Sequence, residues 1–203
     1  MRRLFAYLVC TLALAEVLLV LLSWILSATM TEHVHSLLSS EGIRWFFGSF
    51  SAMLASPWLV WLLLLAMAGG CLWQSGILSP LTSHLSPLSY RHRMAFRTTV
   101  VIVGLYVVAI LALTVVPHAV LLSATGQLFP SPFSRALVPI VSFGVLLASA
   151  VYGWTSGRFD SFADVIASLA YGIQQAAPLF ILYVVAVQFY ASLRFVFFLP
   201  SSL

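Results

Sequence analysis

The sequence predicts an all-α integral membrane protein, a bundle of about five transmembrane helices with short interfacial helices. Composition and patterning carry that prediction. Hydrophobic residues fill 62% of the 203 positions and charged residues only 7%, whereas soluble domains average about 45–50% and about 25%. The mean hydropathy is +1.09, so there is too little charge to cover a water-facing surface. The apolar residues also gather in runs of about 20, the length that crosses about 30 Å of hydrocarbon. A soluble domain, a disordered tail and a secreted disulfide scaffold are excluded together. Cys10 and Cys71 both fall inside apolar runs and read as packing residues, not as a disulfide pair.

The chain reads as a single membrane domain, residues 1–203, with spans at about 4–27, 57–78, 98–122, 133–154 and 176–199. The first run follows Met1-Arg2-Arg3 and carries Trp24 near its far end. A signal peptide has a shorter apolar core and a small-residue cleavage site, so this run reads as an uncleaved anchor. Residues 28–44 are polar. Trp45-Phe46-Phe47 then opens a short interfacial helix over about 45–56, kinked at Pro57 into the second span, because proline breaks the helical hydrogen-bond ladder. Residues 79–97, with Pro80, Pro87, Tyr90 and three arginines, read as a loop. Pro117 lies near the outer end of the third span, and Gly126, Pro130 and Pro132 mark the turn into the fourth. Gly153 and Gly157 close the fourth. Ser161 is the cap of a second interfacial helix over about 161–175, which either stays separate or joins the last run into one longer element.

All nine basic residues are arginine. They are too scattered for a nucleic-acid surface and are better read as topology signals. With a cytoplasmic N-terminus, Arg2, Arg3, Arg91, Arg93, Arg97 and Arg158 lie inside, while Arg44, Arg135 and Arg194 lie outside. The expected location is a bacterial inner membrane, multi-pass, with the lipid bilayer as first partner.

No enzyme constellation is present: the chain has no Gly-rich phosphate loop, His-Glu-x-x-His helix, Cys-x-x-Cys pair or Gly-x-Ser-x-Gly elbow. No cofactor and no metal site is expected. Glu32, His33 and His35 are read as a solvated loop in preference to metal ligands. Glu16 stands out because it sits midway along the first span, where a carboxylate is expensive unless it is paired or protonated. It is either a proton-coupling acid or a carboxyl that holds the bundle together by a hydrogen bond. Gln188 and Arg194 interrupt the last span. Gln188 reads first as a bundle hydrogen-bond donor and Arg194 as a side chain snorkelling to the interface. Gly69, Gly70, Gly153 and Gly157 read as small-residue surfaces where helices approach closely. The chain contains no Asn and no Lys, and few polar groups flank Pro57, Pro117 and Pro139. A self-contained transport site needs more polar side chains than this.

Several segments in order resemble a known family. Leu37-Leu38-Ser39-Ser40-Glu41-Gly42-Ile43-Arg44-Trp45 resembles the lead-in to the second helix of AbgT-type p-aminobenzoyl-glutamate transporters. Ala66-Met67-Ala68-Gly69-Gly70 and Gln74-Ser75-Gly76-Ile77-Leu78 resemble the close of that helix. Pro130-Ser131-Pro132-Phe133, Pro139, Tyr152-Gly153, Asp164, Ala177-Pro178 and Gln188-Phe189 are similar to later family positions in order and interval. The resemblance implies a dimeric inner-membrane transporter, with proton coupling in some members. It also implies two polar re-entrant hairpins that have no counterpart here, so no family substrate residue transfers onto this chain.

Three functional classes follow. The chain is a shortened transporter-family protein that moves, or helps to move, p-aminobenzoyl-glutamate-type or sulfonamide-like anionic aromatic solutes, as a homodimer or with a second membrane chain supplying the missing half. Alternatively it is a non-transporting scaffold or degenerate remnant that packs with another chain. An intramembrane enzyme would need acid, base or metal residues converging at one depth, which Glu16 alone does not provide.

Overall fold

In the computed structural model of the protein the described residues are 2–29, 34–78, 90–115 and 132–198. They form six helices: α1 (Arg2–Ala28), α2 (Ser40–Leu54), α3 (Pro57–Ser75), α4 (Tyr90–Val115), α5 (Pro132–Ser156) and α6 (Phe162–Phe198). No strand occurs among the described residues. All but α2 are long and apolar enough to cross a membrane, which gives the five expected spanning helices.

Each helix end has a local cause. Ser39 caps α2, its hydroxyl accepting from the Gly42 amide at 3.0 Å, so the helix starts ahead of Trp45. Gly42 is required there because a Cβ would run into the Ser36 carbonyl and sit 2.7 Å from the Leu37 backbone. Pro57 opens α3, a position where its missing N–H costs nothing. Helix α4 begins at Tyr90 and carries Arg91, Arg93 and Arg97 in its first turns. The helical ladder continues past the end of the apolar run, since polar side chains break a hydropathy pattern without breaking backbone hydrogen bonds. The sequence features at Pro80, Pro87, Pro117, Gly126 and Pro130 lie outside the described residues.

Pro139 does not break α5, which runs through it, and Pro178 sits inside α6 in the same way. Each proline removes one ladder bond, a loss that long apolar helices tolerate when neighbours support them. The 161–175 stretch and the last apolar run form one continuous helix, α6. Asp164 secures its start, its Oδ2 accepting from the Ser161 amide at 2.9 Å and the Ser161 hydroxyl at 3.1 Å. This is the carboxylate half of a capping box.

The chain divides into two compact units, residues 1–60 with 176–203, and residues 61–175. In the first unit, α1 runs parallel to the last turns of α6. Glu16 meets Ser192, and further along both helices Leu19 shares a core with Phe195, Val196 and Leu37. The 34–39 segment closes that core. The His35 amide donates to the Val196 carbonyl at 3.2 Å, and the Leu37 amide donates to the Ser23 hydroxyl at 3.2 Å. The His35 ring lies against Phe195 with centroids 5.9 Å apart. Helix α2 runs antiparallel to α6, with Trp45 stacked on Phe195 at 4.3 Å and the Ser56 and Tyr183 hydroxyls hydrogen-bonded past its end.

In the second unit, α4 packs on α5, where the Tyr106 hydroxyl donates to the Ile140 carbonyl at 2.9 Å. Gly144 leaves room for that ring, since a Cβ would come 3.0 Å from Tyr106 Cε1. Helix α3 crosses the start of α6 in antiparallel fashion at Gly70 and Gly172. A Cβ on Gly172 would collide with the Ala66 carbonyl and lie 2.9 Å from Gly70 Cα. One turn away the fully buried Cys71 thiol meets the Ser168 hydroxyl. Gly69 meets nothing within 4 Å, so only one glycine of the pair serves close packing.

Gly153 and Gly157 act at a helix end, and Gly157 also lies beside Arg91 of α4, 3.5 Å from where its Cβ would be. Gly157 has φ +78°. The Arg158 amide donates to Gly153 O at 2.8 Å and the Gly157 amide to Trp154 O at 3.1 Å. This double bond pattern is a Schellman motif, which needs a left-handed residue at its turn. Phe159 folds back over Gly153, where a Cβ would overlap its ring. Arg158 then reaches the end of α3, donating to Gln74 O at 3.4 Å. A cation at the negative end of a helix dipole is favourable.

Candidate functional site

Buried hydroxyls dominate the polar interior, and most of them are satisfied by their own helix. Ser75, Thr99, Thr114, Ser149 and Ser168 each donate to a carbonyl three or four residues back. Such groups are already paired and offer little to a ligand.

The exception lies in the first unit, between α1 and α6. The Ser192 hydroxyl donates to Glu16 Oε1 at 2.6 Å, and Ser192 is fully buried. The second carboxyl oxygen, Glu16 Oε2, is buried without a partner, and so is Gln188 Nε2. Gln188 is only 9% exposed. It lies four residues before Ser192, which places both on one face of α6. An acceptor that also takes a proton and an amide donor are thus left open in the same helix pair. Buried polar atoms are nearly always paired, so two such atoms in one locality mark a site whose chemistry is incomplete. The only other unpaired buried side-chain atom among the described residues is Ser142 Oγ on α5.

The chemistry open to this group is narrow. Glu16 offers one open carboxyl oxygen, and Ser192 holds the carboxyl in one orientation by bonding only the other. The unpaired Gln188 Nε2 has N–H donors free for a carbonyl or carboxylate oxygen. No nucleophile with an adjacent base is formed here, and among the described residues no group of three or more His, Cys, Asp or Glu comes together. His33 and Glu32 lie outside the described residues, and His35 is engaged with Phe195 as above.

The three polar residues singled out in the spans therefore part company. Glu16 and Gln188 belong to one helix pair. Arg194 lies on the exposed face of α6 with no hydrogen bond or ion pair among the described residues. Sequence reasoning missed Ser192, Tyr183 and Ser56. A serine four residues after a glutamine in an apolar helix was the available signal for Ser192. Nothing local marked the Ser56–Tyr183 pair, whose members are 127 positions apart.

A family model described as the AbgT putative transporter family matches residues 81–197, which is more than half of the chain. The match covers α4, α5 and nearly all of α6, including Gln188, Ser192 and Arg194. No curated protein and no solved structure matches the chain.

Proposed function

The chain belongs to the AbgT putative transporter family, and from that premise we propose that it is one part of a membrane transporter for anionic aromatic solutes, with Glu16 as its proton-carrying group. The solutes are of the p-aminobenzoyl-glutamate or sulfonamide type. The setting is a bacterial inner membrane, with the N-terminus on the cytoplasmic side, where Arg2 and Arg3 satisfy the positive-inside bias. The protein has no catalytic role in this reading. The observation that carries it is the unpaired Oε2 of the Glu16 carboxyl, whose other oxygen is held by Ser192. An ionisable residue kept inside a spanning helix at a cost of several kcal/mol marks a proton or substrate path.

The same inventory points to a second chain. A p-aminobenzoyl-glutamate-type solute, with two carboxylates and an aromatic amide, needs more donors than Gln188 and one serine supply. The remaining donors are to come from a partner membrane chain, or from a second copy in a homodimer. The scaffold reading has its own support in the hydroxyls paired within their helices, which serve packing alone.

Uptake of labelled p-aminobenzoyl-glutamate into vesicles made from membranes that hold the native assembly separates the two readings. Uptake at least tenfold above vesicles lacking this chain, and collapsing on addition of an uncoupler, is expected. Equal uptake with and without the chain would leave the scaffold reading in its place.

A further inference from the structure

The α1–α6 contact of the first unit carries two unpaired polar groups. Glu16 Oε2 and Gln188 Nε2 are both buried without a hydrogen-bond partner, and Gln188 is only 9% exposed. Ser192 connects them. Its hydroxyl holds Glu16 Oε1 at 2.6 Å, and it lies one helical turn after Gln188, so the Ser192 and Gln188 Cβ atoms are about 5–6 Å apart. Because α1 and α6 run parallel, Gln188 is level with the turn of α1 just before Glu16.

Packing is lopsided about this point. Leu19 and Ser23 are buried on α1, and both lie after Glu16. No residue of α1 from Arg3 to Ala15 is buried. Beyond Glu16 the 34–39 segment also ties the helices, Leu37 to Ser23 and His35 to Val196. The pair is therefore locked on one side of Glu16 and loosely held on the other, where Gln188 lies. Segments with few buried contacts are the ones that open. Parting the first half of α1 from α6 exposes both unpaired atoms.

The ligand follows from the donor count. Gln188 Nε2 only donates. With a proton on Oε2, Glu16 donates there as well, since Oε1 is taken by Ser192. Two neighbouring donors suit the two oxygens of one carboxylate. An ionised Glu16 has acceptors only, and its charge repels a second carboxylate. We propose that Glu16 and Gln188 form a fork for one carboxylate group of the solute, which enters only together with a proton on Glu16 Oε2. This rests on the transport reading and names the part of the solute that this chain holds. The other titratable or charged groups of the surrounding elements stand apart. His35 lies against Phe195 and Tyr183 is bonded to Ser56. Arg3, Tyr7 and Cys10 of α1, Glu41 and Arg44 of α2, and Tyr190 and Arg194 of α6 are exposed.

Benzoate is the probe, with the full chain in phosphatidylcholine nanodiscs and binding followed by calorimetry in two buffers of different ionisation enthalpy. One proton taken up per benzoate bound is expected, with a Kd that rises about tenfold per pH unit once the free carboxyl is ionised. Glu16→Gln replaces the O–H by a permanent N–H donor, while its amide oxygen still accepts from Ser192. It should bind benzoate with comparable affinity and take up no proton. Gln188→Leu should weaken binding about tenfold or more. Benzoate that fails to bind, or binds without proton uptake, would overturn the proposal. So would unchanged binding in Gln188→Leu. Proton uptake that persists in Glu16→Gln would refute it too, because the proton would then sit on benzoate or on another group. Uptake of labelled solute is measured separately on the native assembly. Uptake without the proton signature removes the fork alone, and the signature without uptake removes the transport reading alone.

Discussion

Gly172→Ala is expected to be the most damaging small substitution in the protein. The new methyl would meet the Ala66 carbonyl oxygen and approach Gly70 Cα to 2.9 Å. Both obstacles are backbone, so no rotamer change relieves them and α3 must move away from α6. Overpacking of a tight contact costs about 1–3 kcal/mol and occasionally more, and this contact belongs at the upper end. The separation would also open the fully buried Cys71 beside it. Thermal unfolding in detergent, together with the rate of Cys71 labelling, checks both effects. Gly69→Ala is the control. A Cβ there meets nothing within 4 Å, and alanine is about 0.5–1 kcal/mol better than glycine inside a helix. It should be neutral or mildly stabilising.

Substitution of Glu16 should separate activity from stability. Glu16→Gln keeps an oxygen for the Ser192 hydroxyl, so the α1–α6 pair should hold to within about 1 kcal/mol, since interhelical hydrogen bonds in membranes average about 0.6 kcal/mol. Glu16→Leu removes the acceptor, but Ser192 can turn to a carbonyl of its own helix. Removing a carboxyl from an apolar span should then leave the fold as stable as before or more so. Both variants are expected to lower proton-driven uptake at least tenfold at normal expression. A stability loss of about 2 kcal/mol in Glu16→Leu with no effect of Glu16→Gln would make the carboxyl a packing group.

The fold was legible in the sequence to the extent that it depends on hydropathy. Bilayer thickness sets the length of an apolar run, so the five spanning helices emerge from the chain alone. Boundaries drawn by polarity were less exact. The arginine-rich start of α4 is helical although it is not apolar, and α6 joins an amphipathic stretch to a spanning one because Pro178 is accommodated inside it. Glycines were visible but their partners were not. Gly70 packs against Gly172, which lies beyond the segment that drew attention, whereas Gly153 and Gly157 shape a helix end. The candidate site was half legible. A lone carboxylate in a span identifies itself by cost, but its partner Ser192 lies 176 positions away, and serine is ordinary in any helix. Only packing shows which serine it meets and which oxygen it leaves open.

As one component of a transporter, this chain needs either a partner membrane protein or a second copy of itself to complete the solute site. The most direct test is the mass and composition of the native complex, extracted in mild detergent from the source membrane by a tag on this chain. Recovery in an assembly larger than one chain is expected, either in fixed proportion with a second multi-pass protein or as a homodimer. Recovery of this chain alone, as a monomer, would contradict that reading.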